Sequence, residues 1–466
     1  MNTYYNSKAS RLRYAAPHTL IAVGGAALAL LWLLVSVLSW VVSLVPANYF
    51  VSPATLGGIR YNLTMLGASL LVISGLVLLA AFIVYKRTPA AEQIRHMVYR
   101  GLCCPAYGNP LHLKDGEFLP KVSCVPSNAG RYDITITGAS VAMEDIVKSA
   151  PRISALINGK YQRYAVVYTE GAPDYHKTVF HVDDVAQDHS ITYQAVGDMY
   201  NYDPTKLVIQ GGTAIDLTAS GSMLIAGKTR SGKTTAIISL LLQVLQHRRD
   251  EFGSEVAIID PKQAELSRLP HVVTLDGDGG ARAILRAVQH FAAVIKDRQG
   301  VLNAQSEQCG DAVKWWQAGM RPSFLFVDEY VACRSLFPKK PAKDDDYCLA
   351  TFDDIIKRIV TMGASAGCYV IISIAQASVE EGGLPSMLRS AMSTKILFRP
   401  TLEEGRLMWP GPSLETLAVA RKYVPGDAWF SSTDGEHDAP SYVHFPHMDF
   451  AVYRELGRLL TEYYGD

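Results

Sequence analysis

The chain has no net charge to offer a partner, because 44 lysines and arginines are matched by 44 aspartates and glutamates over 466 residues. That excludes a polybasic footprint spread over the whole surface, so a nucleic-acid partner would have to be gripped locally. It also has no C-x-x-C pair. Its seven cysteines are odd in number, and the adjacent Cys103-Cys104 has neither zinc nor disulfide-framework spacing. A disulfide scaffold is thereby excluded, and a reducing cytosol fits the soluble part. Charge is missing altogether from Thr19 to Val45, roughly 27 residues, and from Met65 to Tyr85, roughly 21; both reach the ~20 needed to cross a hydrocarbon core. No A-x-A-like cleavage site follows the first run, which is too long for a removable signal.

Those runs predict two transmembrane helices, 19–45 and 65–85, joined by a short external loop, 46–64. Lys8, Arg11 and Arg13 precede the first with no acidic residue nearby, and Lys86, Arg87, Arg95 and Arg100 follow the second, whereas the connection Pro46–Asn62 carries only Arg60. The positive-inside rule then places the tail 1–18 and everything after the second span in the cytoplasm of a two-span protein of the cell membrane, in contact with lipid. Gly24-Gly25, Gly67 and Gly75 are either sites of close helix contact or ordinary membrane glycines.

Residues 88–201 read as a small membrane-proximal α/β domain. Met143, Ile146, Val147 and Ala150 form a helical stripe that Pro151 would end, and Arg131–Thr137, Tyr164–Thr169 and Lys177–Val182 read as strands. No catalytic constellation appears there, since His176, His181 and His189 lack ligand spacing.

The richest stretch is Gly227-Lys228-Thr229-Arg230-Ser231-Gly232-Lys233-Thr234, which fits G-x-x-x-x-G-K-[ST]. A short apolar strand, Ser222–Ala226, precedes it, and a nearly all-apolar helix from Thr235 to Gln246 follows. That is the setting in which backbone N–H groups close around phosphates at a helix N-terminus. Lys233 would reach the β- and γ-phosphates of ATP, and the Thr234 hydroxyl would hold Mg²⁺, with Thr235 completing the binding segment. Phe324-Leu325-Phe326-Val327-Asp328-Glu329 is a hydrophobic strand ending in two carboxylates: Asp328 for the Mg²⁺ shell and Glu329 to orient or deprotonate the attacking water. Cys368–Ser373 is a further central strand ending near Gln376, an amide that either senses the γ-phosphate or caps the strand. Glu255–Ile259 and Thr394–Phe398 supply more strands, and the Asp278-Gly279-Gly280 turn opens a long amphipathic helix. Strands alternating with helices predict an α/β fold, a mostly parallel sheet covered on both faces, with nucleotide at the carboxyl ends of the strands.

From about Leu207 to Leu459 the chain resembles the RecA-like motor of the FtsK/SpoIIIE family of DNA translocases. The residues that carry the resemblance are Ile259-Asp260-Pro261-Lys262 with Glu265-Leu266, Pro270-His271, Val327-Asp328-Glu329, the turn Gly363–Gly367, Ile374-Ala375-Gln376, Gly426–Phe430 and Tyr442-Val443-His444. The resemblance implies a RecA-like P-loop motor domain over 203–466 that hydrolyses ATP with Mg²⁺, contacts DNA phosphates without reading sequence, and assembles as a homo-hexamer. The family's arginine that reaches a neighbouring subunit's nucleotide matches Arg406, with Arg389, Lys395 and Arg399 as competitors and a local ion pair with Glu403 or Glu404 as the alternative role.

Two spans ahead of one motor, without a long low-complexity linker or a C-terminal winged helix, are similar to the coupling proteins of conjugative elements of Gram-positive bacteria. This implies a relaxosome and a membrane channel as partners. A chromosome translocase of the FtsK kind, an ESX-type protein-secretion motor and a non-enzymatic scaffold are the alternatives; the single motor argues against the ESX type, and intact Lys233, Thr234, Asp328 and Glu329 against the scaffold. Lys339-Lys340-Pro341-Ala342-Lys343 is either a DNA-contacting loop or a solvated insertion whose charge Asp344-Asp345-Asp346 offsets.

Overall fold

The computed structural model describes residues 16–45, 52–103, 110–111, 120–127, 131–138, 141–158, 161, 164–172, 176–184, 189–263, 265–275, 280–343, 345–375, 384–410, 414 and 423–465. They fall into two compact units, Met1–Gln187 and Asp188–Asp466.

The first unit opens with two apolar helices, Pro17–Leu44 and Pro53–Arg87, each long and apolar enough to cross a membrane. They pack on each other through small residues. Ser74 Oγ donates to the Gly25 carbonyl at 2.9 Å, and a Cβ at Gly25 would lie 2.8 Å from Leu78. Gly67 faces Trp32, Val35 and Ser36, whereas Gly24 and Gly75 face open space. Leu30, Leu34, Trp40, Leu76 and Leu79 are exposed, a surface that suits lipid rather than water. The second helix begins at Pro53, well ahead of Met65, because a helix does not stop where apolarity does: Ser52 caps it, accepting from the Thr55 N–H at 3.1 Å.

Beyond these, strands β1 (Lys121–Pro126), β2 (Tyr132–Thr137), β3 (Tyr164–Gly171) and β4 (Lys177–Asp184) form an antiparallel sheet ordered β1-β2-β4-β3. Helices Ala90–Cys103 and Ala150–Asn158 are buried with it around Ile94, Val98, Ile134, Ile136, Ile153, Ile157 and Phe180. The stripe read from sequence forms the helix Met143–Val147, which stops ahead of Pro151, so Pro151 does not end it. Pro151 sits in the first turn of Ala150–Asn158, where its missing N–H costs nothing.

The second unit carries β5 (Thr192–Tyr193), the hairpin β6 (Lys206–Gln210) and β7 (Thr213–Asp216), and then β8 (Met223–Gly227), β9 (Val256–Asp260), β10 (Val272–Thr274), β11 (Ser323–Val327), β12 (Cys368–Ile374), β13 (Thr394–Phe398), β14 (Asp427–Ser432), β15 (Ser441–His444) and β16 (His447–Met448). β5 pairs with β16, so residues 189–201, read from sequence with the membrane-proximal part, belong to this unit. The main sheet runs β10-β9-β11-β12-β8-β13-β14-β15, parallel through β13 and antiparallel in its last two pairs.

Both faces of the sheet are buried, and alternation within β8 assigns its residues. Met223 and Ile225 join the core containing helix Lys233–Leu245 and helix Val452–Tyr464; Leu224 and Ala226 join the core under helices Gly280–Cys309 and Leu349–Met362. This α/β arrangement delivers the carboxyl ends of β9, β11, β12, β8 and β13 to one edge.

Candidate nucleotide site

At that edge β8 ends in Gly227 and the chain turns into helix Lys233–Leu245. Two glycines of the turn have no substitute. A Cβ on Gly227 would stand 2.7 Å from Phe398 Cβ and 2.9 Å from Ser231 Oγ. Gly232 has φ +94°, and a Cβ there would meet the Gly426 backbone nitrogen at 2.6 Å. The contact is reciprocal, since the Gly426 N–H donates to the Ser231 carbonyl at 3.1 Å. The segment just before β14 therefore closes over the loop. It is braced by Asp427, whose Oδ2 accepts from the Val424 N–H at 2.7 Å and whose Oδ1 pairs with His444 Nδ1 at 2.6 Å. Lys228, Thr229 and Arg230 are exposed, and Arg230 has φ 63°. Among the described residues Ser231 Oγ is buried without a hydrogen-bond partner, and such a group calls for one from outside the chain.

Lys233 is buried, and its Nζ donates to the Ile374 carbonyl at 3.2 Å and to Glu329 Oε1 at 3.3 Å. It thereby joins the ends of β8, β12 and β11. β12 lies between β8 and β11, so the loop strand and the strand ending in Asp328-Glu329 are not neighbours.

The inserted strand contributes Ser373, which sequence reasoning missed as a site residue. Its Oγ donates to Asp328 Oδ1 at 2.6 Å and accepts from the Glu329 N–H at 3.1 Å. Burial pushes the Asp328 carboxyl above its ordinary range, opposed by the Ser373 hydrogen bond and the Lys233 charge. For Glu329, burial also pushes upward, but the hydrogen bond from Lys262 and the charges of Lys233 and Lys262 outweigh it and leave the carboxyl below its ordinary range. Glu329 has φ 43° and ψ 57°, a left-handed conformation uncommon for a residue with a Cβ; such strain clusters at functional sites.

The residues fit a small hard cation. Among the described residues both hydrogen bonds to the Asp328 carboxylate fall on Oδ1, which leaves Oδ2 available, and Thr234 offers a half-buried hydroxyl. One or two protein oxygens beside phosphates and waters are the usual holding of Mg²⁺. Among the described residues no cluster of three or more His, Cys, Asp and Glu side chains offers a competing metal site.

The other candidates scatter. Gln376 lies outside the described residues. Thr235 is exposed at the start of the helix. Arg406 is exposed on helix Leu402–Met408, which begins with Thr401 accepting from the Glu404 N–H. Glu404 is buried, and its Oε2 accepts from Thr401 Oγ1 at 2.9 Å. Lys395 is tied to the other end of that helix, donating to the Met408 carbonyl at 3.1 Å. Arg399 follows β13 with φ 47°, and its Nε is buried without a hydrogen-bond partner among the described residues.

A glycine turn between a buried strand and a buried helix, with its lysine joined to a strand-end carboxylate pair, defines a P-loop fold of the α/β class. Residues 198–314 match the family model described as FtsK/SpoIIIE family, and the chain carries an FtsK/SpoIIIE-type domain. It is 27% identical over 258 residues to the DNA translocase FtsK of Caldanaerobacter subterraneus, covering 52% of this chain and 34% of that protein. It is also 27% identical over 151 residues to the Ftsk domain-containing protein YdcQ of Bacillus subtilis, covering 32% and 28%. The matches thus span about a third or less of these relatives' length. Among solved structures, the pCW3 conjugation coupling protein TcpA is similar with a TM-score of 0.47 and 12% identity, over 74% of this chain and 94% of that one. The type VII secretion ATPase EccC of Thermomonospora curvata is similar with a TM-score of 0.39 and 15% identity, over 57% and 33%.

Proposed function

We propose that this protein is a membrane-anchored, ATP-driven DNA translocase that acts as a coupling protein in conjugative DNA transfer. The observation that carries the ATPase part is the convergence of Lys233, Asp328 and Glu329 at the strand ends of an FtsK/SpoIIIE-type domain. Backbone groups of Gly227–Thr234 cradle the phosphates, and Lys233 neutralises the β- and γ-oxygens. Thr234 and Asp328 would hold Mg²⁺, which would supply charge neutralisation on the phosphates when bound. Glu329 orients the attacking water, and Gln376, outside the described residues, is assigned to sensing the γ-phosphate or that water. In a RecA-like homo-hexamer, Arg406 reaches the neighbouring subunit's nucleotide. The two apolar helices anchor the chain with both termini in the cytoplasm, and two spans ahead of such a domain favour delivery of DNA from a relaxosome to a membrane channel.

The loop after β11 supports a DNA cargo. Two of its acidic side chains are engaged by neighbours at the surface: Arg282 Nη1 donates to Asp345 Oδ1 at 3.0 Å, and Gln289 Nε2 donates to Asp346 Oδ2 at 2.7 Å. Lys339, Lys340 and Lys343 are left exposed, free to meet backbone phosphates that carry no sequence information.

The test is ATP turnover of the purified full chain with and without DNA of several sequences and at two salt concentrations. DNA should raise the rate with little sequence preference, and the effect should weaken steeply with salt. Lys233→Ala should abolish turnover, and Glu329→Gln should bind ATP but scarcely hydrolyse it. If no form of DNA changes the rate while a secreted helical protein raises it, the cargo is protein and the coupling role is wrong.

A further inference from the structure

The chain turns sharply after β9. The Lys262 N–H donates to Asp260 Oδ1 at 3.1 Å, and Gln263 has φ 55°. Because β9 pairs with β11 in parallel, with Ile259 opposite Val327, this turn stands beside Asp328 and Glu329. It directs Lys262 across the strand ends, and its Nζ lies 2.9 Å from Glu329 Oε1. The same oxygen is 3.3 Å from Lys233 Nζ. One carboxylate oxygen is thus shared by two ammonium groups of unlike character: Lys233 is buried, with its side chain 8% exposed, and Lys262 is half exposed at 50%.

The sharing has a consequence for chemistry. Lys233 is the phosphate-side cation of the P-loop, and a carboxylate resting on it competes with phosphate oxygens for the same donor. A γ-phosphate drawn to Lys233 would also repel Glu329, with only a few ångströms between the two anions. Glu329 needs a second cation that stays outside the phosphate cradle, or its carboxylate has no fixed place from which to accept a proton. Lys262 is the shorter of its two ion pairs and comes from a different strand. Its backbone is held by the Asp260 turn rather than by the P-loop, so it need not move when phosphate arrives.

We propose that Lys262 is a positioning residue for ATP hydrolysis, holding the Glu329 carboxylate off Lys233 and toward the attacking water. This deepens the ATPase reading and rests on it. Lys262 touches neither phosphate nor water in this role; it acts through Glu329.

The experiment compares full-length protein with Lys262→Met, Lys262→Arg, Glu329→Gln, the Lys262→Met/Glu329→Gln double variant, and Lys233→Ala as control. Methionine keeps the length of the stem at a half-exposed position, and a melting curve reports whether the fold is kept. A positioned general base contributes about 10²–10⁴-fold, so losing its partner should lower kcat roughly tenfold or more with KM for ATP changed by less than about threefold. Lys262→Arg should recover most of the rate. The double variant should turn over as slowly as Glu329→Gln alone, because the two residues act as one unit. A Lys262→Met protein with unchanged kcat, one whose defect lies in KM, or a double variant slower than Glu329→Gln by the full single-variant factor would each overturn the proposal. If Lys262→Met is too unstable to assay, the Lys262→Arg and Lys262→Gln pair decides by the same kcat comparison. Should Lys233→Ala itself retain turnover, the ATPase reading fails, and that result is separate from any on Lys262.

Discussion

Replacing Ser373 by alanine removes a single oxygen from the middle of the sheet, and the structure allows the loss to be estimated. Ser373 is wholly buried in β12, and its hydroxyl serves two groups at once: it donates to Asp328 Oδ1 and accepts from the Glu329 N–H. Alanine leaves a buried carboxylate without its hydroxyl donor, and hydrogen bonds to charged groups contribute about 1.5–3 kcal/mol. The Glu329 N–H keeps Asp328 Oδ1 at 3.1 Å, so its loss is partial and stays below about 1 kcal/mol. Together these give about 1.5–4 kcal/mol, or roughly 3–16 °C in Tm for a unit of this size. The cavity is small and adds little. Function should suffer more than stability, because Ser373 fixes the carboxylate assigned to Mg²⁺ and the backbone of the residue assigned to the water. The assay is a melting curve and ATP turnover over a Mg²⁺ titration, with turnover falling at least tenfold and the apparent Mg²⁺ requirement rising. Ser373→Thr should keep the hydroxyl while overpacking the strand, costing about 1–3 kcal/mol with turnover better preserved than in Ser373→Ala. An alanine variant that melts within about 1 °C of the parent and hydrolyses ATP normally would refute the idea that β12 organises the carboxylate pair.

Four further outcomes are expected. Gly232→Ala should lose ATP binding, measured with a fluorescent ATP analogue, because its Cβ would strike the Gly426 backbone in a left-handed conformation; a variant that binds normally would show that the segment before β14 does not close the loop. Arg406→Ala should bind ATP but not turn it over, and mixing it with Lys233→Ala subunits should restore partial activity if the arginine acts across an interface; mixed rings that stay inactive would exclude that role. His247 is buried, and burial together with the Arg321 charge holds its pKa below the ordinary value, with Asp203 opposing. The unfolded chain therefore binds the proton more readily, and stability should fall as pH drops below about 6.5; His247→Gln should flatten that part of the profile in denaturant melts. Cysteine labelling from outside the cell should reach a probe within 46–52 and never one in the ATPase unit; modification of the latter would reverse the orientation.

The parts of the site that could be read in advance are those whose chemistry is written in consecutive residues. Gly227–Thr234 and Asp328-Glu329 are of this kind, because a phosphate cradle needs neighbouring backbone amides and a strand end presents successive side chains together. Ser373 was not legible. A serine in Cys368–Ile374 and its flank looks like any polar residue in a buried strand, and its duty follows only from β12 lying between β8 and β11, a fact of strand order. Lys262 stood in a recognisable run, but its partner lies on another strand. The closure of Gly232 by Gly426 was equally hidden, since both glycines suggest turns and neither announces the other. Helix ends were missed where composition and capping disagree: Ser52 and Pro53 start a helix ahead of its apolar stretch, and Pro151, expected to end the preceding stripe, lies in the first turn of the next helix.

The position of β8 has a consequence for how the protein is made. It is the first strand of the main sheet to leave the ribosome, yet both of its neighbours, β12 and β13, are encoded far downstream. Every residue of β8 is buried in the finished fold, so during translation a fully apolar strand waits with two open edges while β9, β10 and β11 are still being synthesised. Those later strands can pair among themselves first, and β8 can enter only when β12 arrives to bridge it to them. Such delayed, long-range pairing is slow and leaves the nascent chain prone to association with others. A slowed ribosome after β11 would lengthen that exposure, whereas the same pause after β13 would not.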